Sequence, residues 1–164
     1  MVVLDRVTAA TTLSNTASET TMYTYSVPAN MGAKTGEVLD LEMIMTLLNS
    51  SGADRTYTVR IKFGGTTHNT ENLIPVPTSI TARAFTIRVR IQNESGSNQY
   101  ITTTVYLGPV GNDLGTVALM PANTLIAAGT IDQTAAQTLA VSLQSDAATS
   151  TQTITTQVSL LQLI

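Results

Sequence analysis

The sequence predicts an all-β fold, a two-sheet antiparallel β-sandwich of jelly-roll type with about eight strands, and three observations carry that expectation. Apolar and polar residues alternate with period two over several long runs, turn signals of Gly, Pro, Asn and Ser separate those runs at near-regular spacing, and no segment has a helical period. The leading stretch is Gly36 to Thr67. From Val38 one parity gives Leu39, Leu41, Met43, Met45 and Leu47, and the other gives Val38, Asp40, Glu42, Ile44 and Thr46. After the turn Asn49 to Asp54, Tyr57, Val59, Ile61 and Phe63 alternate with Thr56, Thr58, Arg60 and Lys62. A two-residue period sustained over this length means strands with one buried face.

The other elements follow in order. Residues 1–18 open with the apolar Val2-Val3-Leu4 and continue through small polar residues without a period, which reads as an N-terminal arm preceding a sandwich domain over 19–164. Glu19 to Val27 is rich in β-formers and ends at Pro28. Gly64-Gly65 bends or ends the strand after Phe63, and Thr66 to Ile74 is a short strand broken by Pro75 and Pro77. Ala82 to Asn93 places Phe85, Ile87, Val89 and Ile91 on one face against Thr86, Arg88 and Arg90. A turn at Glu94 to Asn98 returns it as Gln99 to Gly108, where Tyr100, Thr102, Thr104 and Tyr106 alternate with Ile101, Thr103, Val105 and Leu107. Pro109 to Gly115 is loop, Val117 to Met120 and Leu125 to Ile131 are short candidate strands, and Thr138 to Gln144 and Thr153 to Ile164 complete the set.

Composition narrows the function classes. Charged residues make up 12% of the 164 residues, against about 25% in an average soluble domain, and polarity comes instead from Thr, Ser, Asn and Gln. Such a surface suits coverage by neighbours in an assembly. A net charge of −3 without a basic patch speaks against nucleic acid as partner. The absence of Cys removes disulfides and thiolate metal sites. No segment has the apolar length of a membrane span, and none has the pattern of a secretory leader, so the chain is expected to be soluble and made in the cytoplasm.

Catalytic chemistry is thin. His68 is the single histidine, with no second His or Cys to complete a metal site, and is expected as a loop or strand-edge residue. Asp40 and Glu42 share a strand face at a spacing compatible with a glycosidase carboxylate pair, but a chain with no Trp and 4% aromatics offers no stacking cleft around them. Gly64-Gly65 lacks the Lys-Ser/Thr of a phosphate loop. No catalytic residue, metal or cofactor is therefore expected. The charges instead read as exposed cross-strand pairs with two arrangements open: a simple hairpin sets Glu42 opposite Arg60 and Asp40 opposite Lys62, whereas a jelly roll sends those strands to different sheets.

Three blocks, GEVLDLEMIMTLLNSSGADRTYTVRIKFGGTT, ARAFTIRVRIQNESGS and TIDQTAAQTLAVSLQSDAATSTQTITTQVSLLQL, resemble in that order a recurrent type of tailed-phage virion protein. The resemblance covers about Gly36 to Ile164. It implies a non-enzymatic jelly-roll protein of the bacteriophage particle, a capsid decoration or cement protein or a head-fibre component, located in the virion with the major capsid protein lattice as partner. A host- or carbohydrate-binding β-sandwich module is the alternative, and a hydrolase built on Asp40 and Glu42 a third reading. An uncharged surface of Thr, Ser, Gln and Ala does little to repel another copy, and closed symmetry buries it without growing fibres. That the closed unit is a homotrimer is what the resemblance implies. Val2, Val3 and Leu4 in the arm, and Leu161 and Leu163 in the last strand, are the expected capsid or subunit contacts.

Overall fold

The computed structural model describes residues 1–72, 76, 78, 80–95, 98–108 and 123–164. Among these it forms β1 (Val2–Val7), β2 (Thr12–Ser14), β3 (Thr20–Val27), β4 (Val38–Asn49), β5 (Tyr57–Phe63), β6 (Thr66–Asn72), β7 (Ile80–Ser95), β8 (Asn98–Leu107), β9 (Asn123–Thr130), β10 (Gln137–Ser145) and β11 (Gln152–Leu163). The large sheet runs β1-β11-β4-β7-β8-β9, with β2 also paired to β11, and the small sheet runs β3-β10-β5-β6. The candidate strand at Val117 to Met120 and the loop at Pro109 to Gly115 lie outside the described residues.

The pairing is nested. β1 and β2 pair with β11, β3 with β10, β4 with β7, and β5 with β6, all antiparallel. A long antiparallel ribbon rolled so that its outer and inner pairs alternate between two sheets is the jelly roll. β8 and β9 extend the large sheet beyond β7. Because β4 and β5 lie in different sheets, the hairpin pairing of Glu42 with Arg60 does not form. The crossing between them is held by the buried Asn49, whose amide donates to the carbonyls of Ala53 (3.1 Å) and Val76 (2.9 Å).

The core lies where the alternation puts it. Leu39, Leu41, Met43, Met45 and Leu47 of β4 and Phe85, Ile87, Val89 and Ile91 of β7 face Tyr57, Val59, Ile61 and Phe63 of β5 and Leu139, Val141 and Leu143 of β10, all buried. Each such side chain contributes about 1.5–3 kcal/mol on burial. Gly64 and Gly65, with φ of 59° and 79°, form the two-residue turn between β5 and β6, a loop that needs positive φ at both positions. A side chain at Gly64 would also meet Ile131, 2.8 Å from where its Cβ would lie.

Residues 1–18 do not extend from the sandwich as the sequence suggests. β1 runs along β11 from Val2 opposite Leu163 to Val7 opposite Ser159, and β2 sets Leu13 opposite Ile154, both fully buried. The physical reason lies in β11: without these strands its outer edge would present unpaired N–H and C=O groups, and the roll would lack its first strand. The pairings of β11 with β1 and with β4 each carry a β-bulge. One extra residue at Leu4 in β1 lets Val3 and Arg6 share a face, and one at Gln157 in β11 reverses the parity of that strand between Thr156 and Val158.

Candidate functional site: the outer face of the large sheet

The outer face of the large sheet is a grid set by register. Along β8, Tyr100, Thr102, Thr104 and Tyr106 stand opposite Gln92, Arg90, Arg88 and Thr86 of β7. These in turn stand opposite Val38, Asp40, Glu42 and Ile44 of β4. Tyr100 and Tyr106 are 44% and 48% exposed, whereas Tyr23 and Tyr57 are buried. Six residues apart on one strand face, the two exposed rings are about 20 Å apart, with threonines between them and arginines alongside.

The charges on this face are ordered by one buried carboxylate. Asp40 receives the Arg88 guanidinium through both oxygens, Nε to Oδ1 at 3.0 Å and Nη2 to Oδ2 at 2.5 Å, although Arg88 lies diagonally and Arg90 directly opposite. The hydrogen bond to Asp40, followed by its charge, raises the Arg88 pKa further above its usual value. Arg90 lies 4.0 Å from the same carboxylate and keeps about half of its side chain in solvent. Glu42 is exposed and has no ion pair among the described residues. The Tyr100 hydroxyl donates to Glu94 at 3.2 Å, and this bond raises the phenol pKa. Asp40 is thus a structural acceptor, and among its described residues the face offers the rings of Tyr100 and Tyr106, the half-exposed Arg90 guanidinium, the exposed Glu42 carboxylate and a row of hydroxyls.

Toward β1 the same face turns apolar. Val3, Arg6, Glu42, Ile44, Val158 and Leu160 line a groove of about 450 Å³. Val158 and Leu160 face outward because of the bulge at Gln157. Of the expected contact residues, Val2 and Val3 are 58% and 56% exposed, Leu4 and Leu163 are partly buried against the core, and Leu161 is fully buried within it. Leu161 is therefore core, and Leu160 beside it is the residue turned outward.

The remaining candidates lie elsewhere. His68, on the edge strand β6, shares a hydrogen bond of 3.1 Å between its Nε2 and the Phe63 carbonyl. Arg60 and Lys62, on the outer face of the small sheet, meet Glu19 instead of β4, at 3.7 Å and 2.5 Å. Among the described residues no group of His, Cys, Asp and Glu is arranged to hold a metal.

No protein-family model and no curated protein matches this chain. Among solved structures it is similar to the CBM2 module of the evolved Dit of Lactobacillus casei BL23 phage J-1, at 8% identity, covering 84% of this chain and 66% of that one, with a TM-score of 0.41. It is also similar to an alginate lyase from Klebsiella pneumoniae, at 9% identity, covering 79% of this chain and 60% of that one, with a TM-score of 0.31. The chain thus spans less than two thirds of either protein, and likenesses of this size do not bear on what it does. The fold and the face define it as a jelly-roll β-sandwich with an open polar platform on its large sheet.

Proposed function

We propose that this chain is a non-enzymatic protein of a bacteriophage particle that binds carbohydrate on the outer face of its large sheet. The observation that carries the reading is the pair Tyr100 and Tyr106, exposed on one face of β8 and flanking Thr102 and Thr104, with Arg88 and Arg90 alongside. A phenol ring gives a sugar a flat apolar surface and a polar edge. A guanidinium fork gives its hydroxyl or carboxylate groups paired donors. The spacing of the two rings suits an oligosaccharide better than a single sugar. The phage setting is supported by the strand blocks quoted above, which taken alone imply head decoration.

The charges on the platform favour an adsorbing module over a plug seated on a protein shell. Protein interfaces are depleted of charge at their centres, and here Arg88 and Arg90 occupy the middle of the face. Glycan-array binding of the whole chain, followed by calorimetric titration with the best oligosaccharide, tests the reading. Tyr100→Ala and Tyr106→Ala are each expected to weaken binding roughly tenfold while leaving the unfolding midpoint in place. Binding unchanged in the double variant, or no glycan bound at all, removes carbohydrate from the proposal.

A further inference from the structure

The apolar half of the same face is built to fit itself. In one row across the sheet, Arg6 of β1 stands opposite Leu160 of β11, and Leu160 opposite Glu42 of β4. An exposed cation and an exposed carboxylate therefore lie at equal distances, one strand spacing of about 4.8 Å, on either side of a leucine. In the next row Val158 stands opposite Ile44, which is 40% exposed. Neither Arg6 nor Glu42 has an ion pair within 4.0 Å among the described residues, although Glu42 stands opposite Arg88 and its charge acts on that guanidinium. Two independent bulges create the arrangement: the one at Leu4 turns Val3 and Arg6 to the same side, and the one at Gln157 turns Val158 and Leu160 outward. Bulges are over-represented at sheet edges and beside functional sites, where they re-aim side chains in this way.

We infer that this strip is a docking surface for a second copy of the chain, stacked face to face about a two-fold axis running along β11. That rotation exchanges the two sides of Leu160, so Arg6 of each copy meets Glu42 of the other, while Val158 and Leu160, which lie on β11 itself, close against their counterparts. The contact is isologous and closes at two copies. Because β1 is the last strand on its side of the large sheet, the overlap is only three strands wide, β1, β11 and β4. Arg88, Arg90, Tyr100 and Tyr106 on β7 and β8 stay uncovered, so docking and glycan binding coexist. A footprint about 14 Å wide is small beside the roughly 800 Å² per partner of a standard interface, and the dimer forms in the micromolar range instead of the nanomolar.

Sedimentation equilibrium of the whole chain across micromolar concentrations tests this with a charge exchange. Arg6→Glu alone sets carboxylate against carboxylate, and Glu42→Arg alone sets cation against cation, so each variant is expected to self-associate at least roughly tenfold more weakly. An equimolar mixture of the two restores both pairs, and dimerisation is expected to return to the wild-type level. Both changes are at exposed positions, and circular dichroism confirms folding before the mixture is read. A monomeric or trimeric wild type, single variants that dimerise normally, or a mixture that stays monomeric overturns the inference. Attachment of monomers to phage heads that Ile44→Asp abolishes would assign the strip to the shell and overturn it too.

Discussion

The phenol of Tyr23 donates to the Asp5 carboxylate at 3.0 Å, joining the first strand of the large sheet to the first strand of the small one. With Leu13 buried opposite Ile154, this bond makes residues 1–18 part of the sandwich. Leu13→Ala is expected to cost about 2–5 kcal/mol by urea denaturation. Tyr23→Phe is expected to cost about 1.5–3 kcal/mol, the worth of a hydrogen bond to a charged group. Deletion of residues 1–18 should lower the melting temperature sharply, and an unchanged melting temperature would return them to the status of an arm.

Two tyrosines set an alkaline limit. Burial raises the Tyr23 phenol well above its usual value, helped by the hydrogen bond to Asp5 and its charge. Burial, with the Asp146 charge, raises that of Tyr57 to about 12. A pKa raised on folding contributes stability that is fully present below the unfolded value, near 10 for a phenol, and is lost as pH rises through the folded value. Stability should therefore hold up to about pH 10 and fall from there toward pH 12. Tyr57→Phe should flatten the fall in chemical denaturation series, and an unaltered slope would show that Tyr57 is not the group responsible.

The acid limit has a named contributor in Glu19. Its carboxylate accepts from Lys62 at 2.5 Å and from the Ser142 hydroxyl at 2.5 Å, and these bonds, the one to Lys62 first, hold its pKa below the usual carboxylate range. A depressed pKa contributes stability above the unfolded value, which for Glu is near 4.3, and loses it as pH falls through the folded one. Between about pH 5 and pH 3 the wild type should lose more stability than Glu19→Gln does. Parallel curves for the two proteins over that interval would rule the contribution out.

How much of this was legible follows from what periodicity records. Leu39 to Leu47 and Tyr57 to Phe63 were readable because every second residue is buried, and one buried face is what period two reports. β1 and β2 escaped notice because their order comes from β11, more than a hundred residues away, and Leu13 is the one apolar residue fully buried there. The bulges at Leu4 and Gln157 change parity within a strand, which a pattern of alternation cannot locate when both faces carry apolar residues. Leu161 was accordingly expected on the outside, where the residue turned outward is Leu160. The tyrosine platform was within reach: Tyr100 and Tyr106 alternate with Ile101 and Val105, and an apolar parity turned inward leaves both rings outside.

Arg88 and Arg90 separate the structural role of the platform from the binding role proposed for it. Asp40 is buried and takes both of its charged hydrogen bonds from Arg88, so Arg88→Ala leaves a carboxylate with only the more distant Arg90 to compensate it. Half of the Arg88 side chain is in water, which screens the loss, and the expected cost is about 1–2 kcal/mol, below that of breaking a fully buried pair. Arg90→Ala removes no hydrogen bond of this kind and should leave the denaturation midpoint where it is. If the face binds a glycan, however, Arg90 is the guanidinium free to meet it, and Arg90→Ala should weaken glycan binding several-fold. Urea denaturation and calorimetric titration of the two variants side by side decide the matter: a stability loss confined to Arg88→Ala together with a binding loss in Arg90→Ala supports the division, and a stable Arg88→Ala protein would show that Asp40 does not depend on its partner.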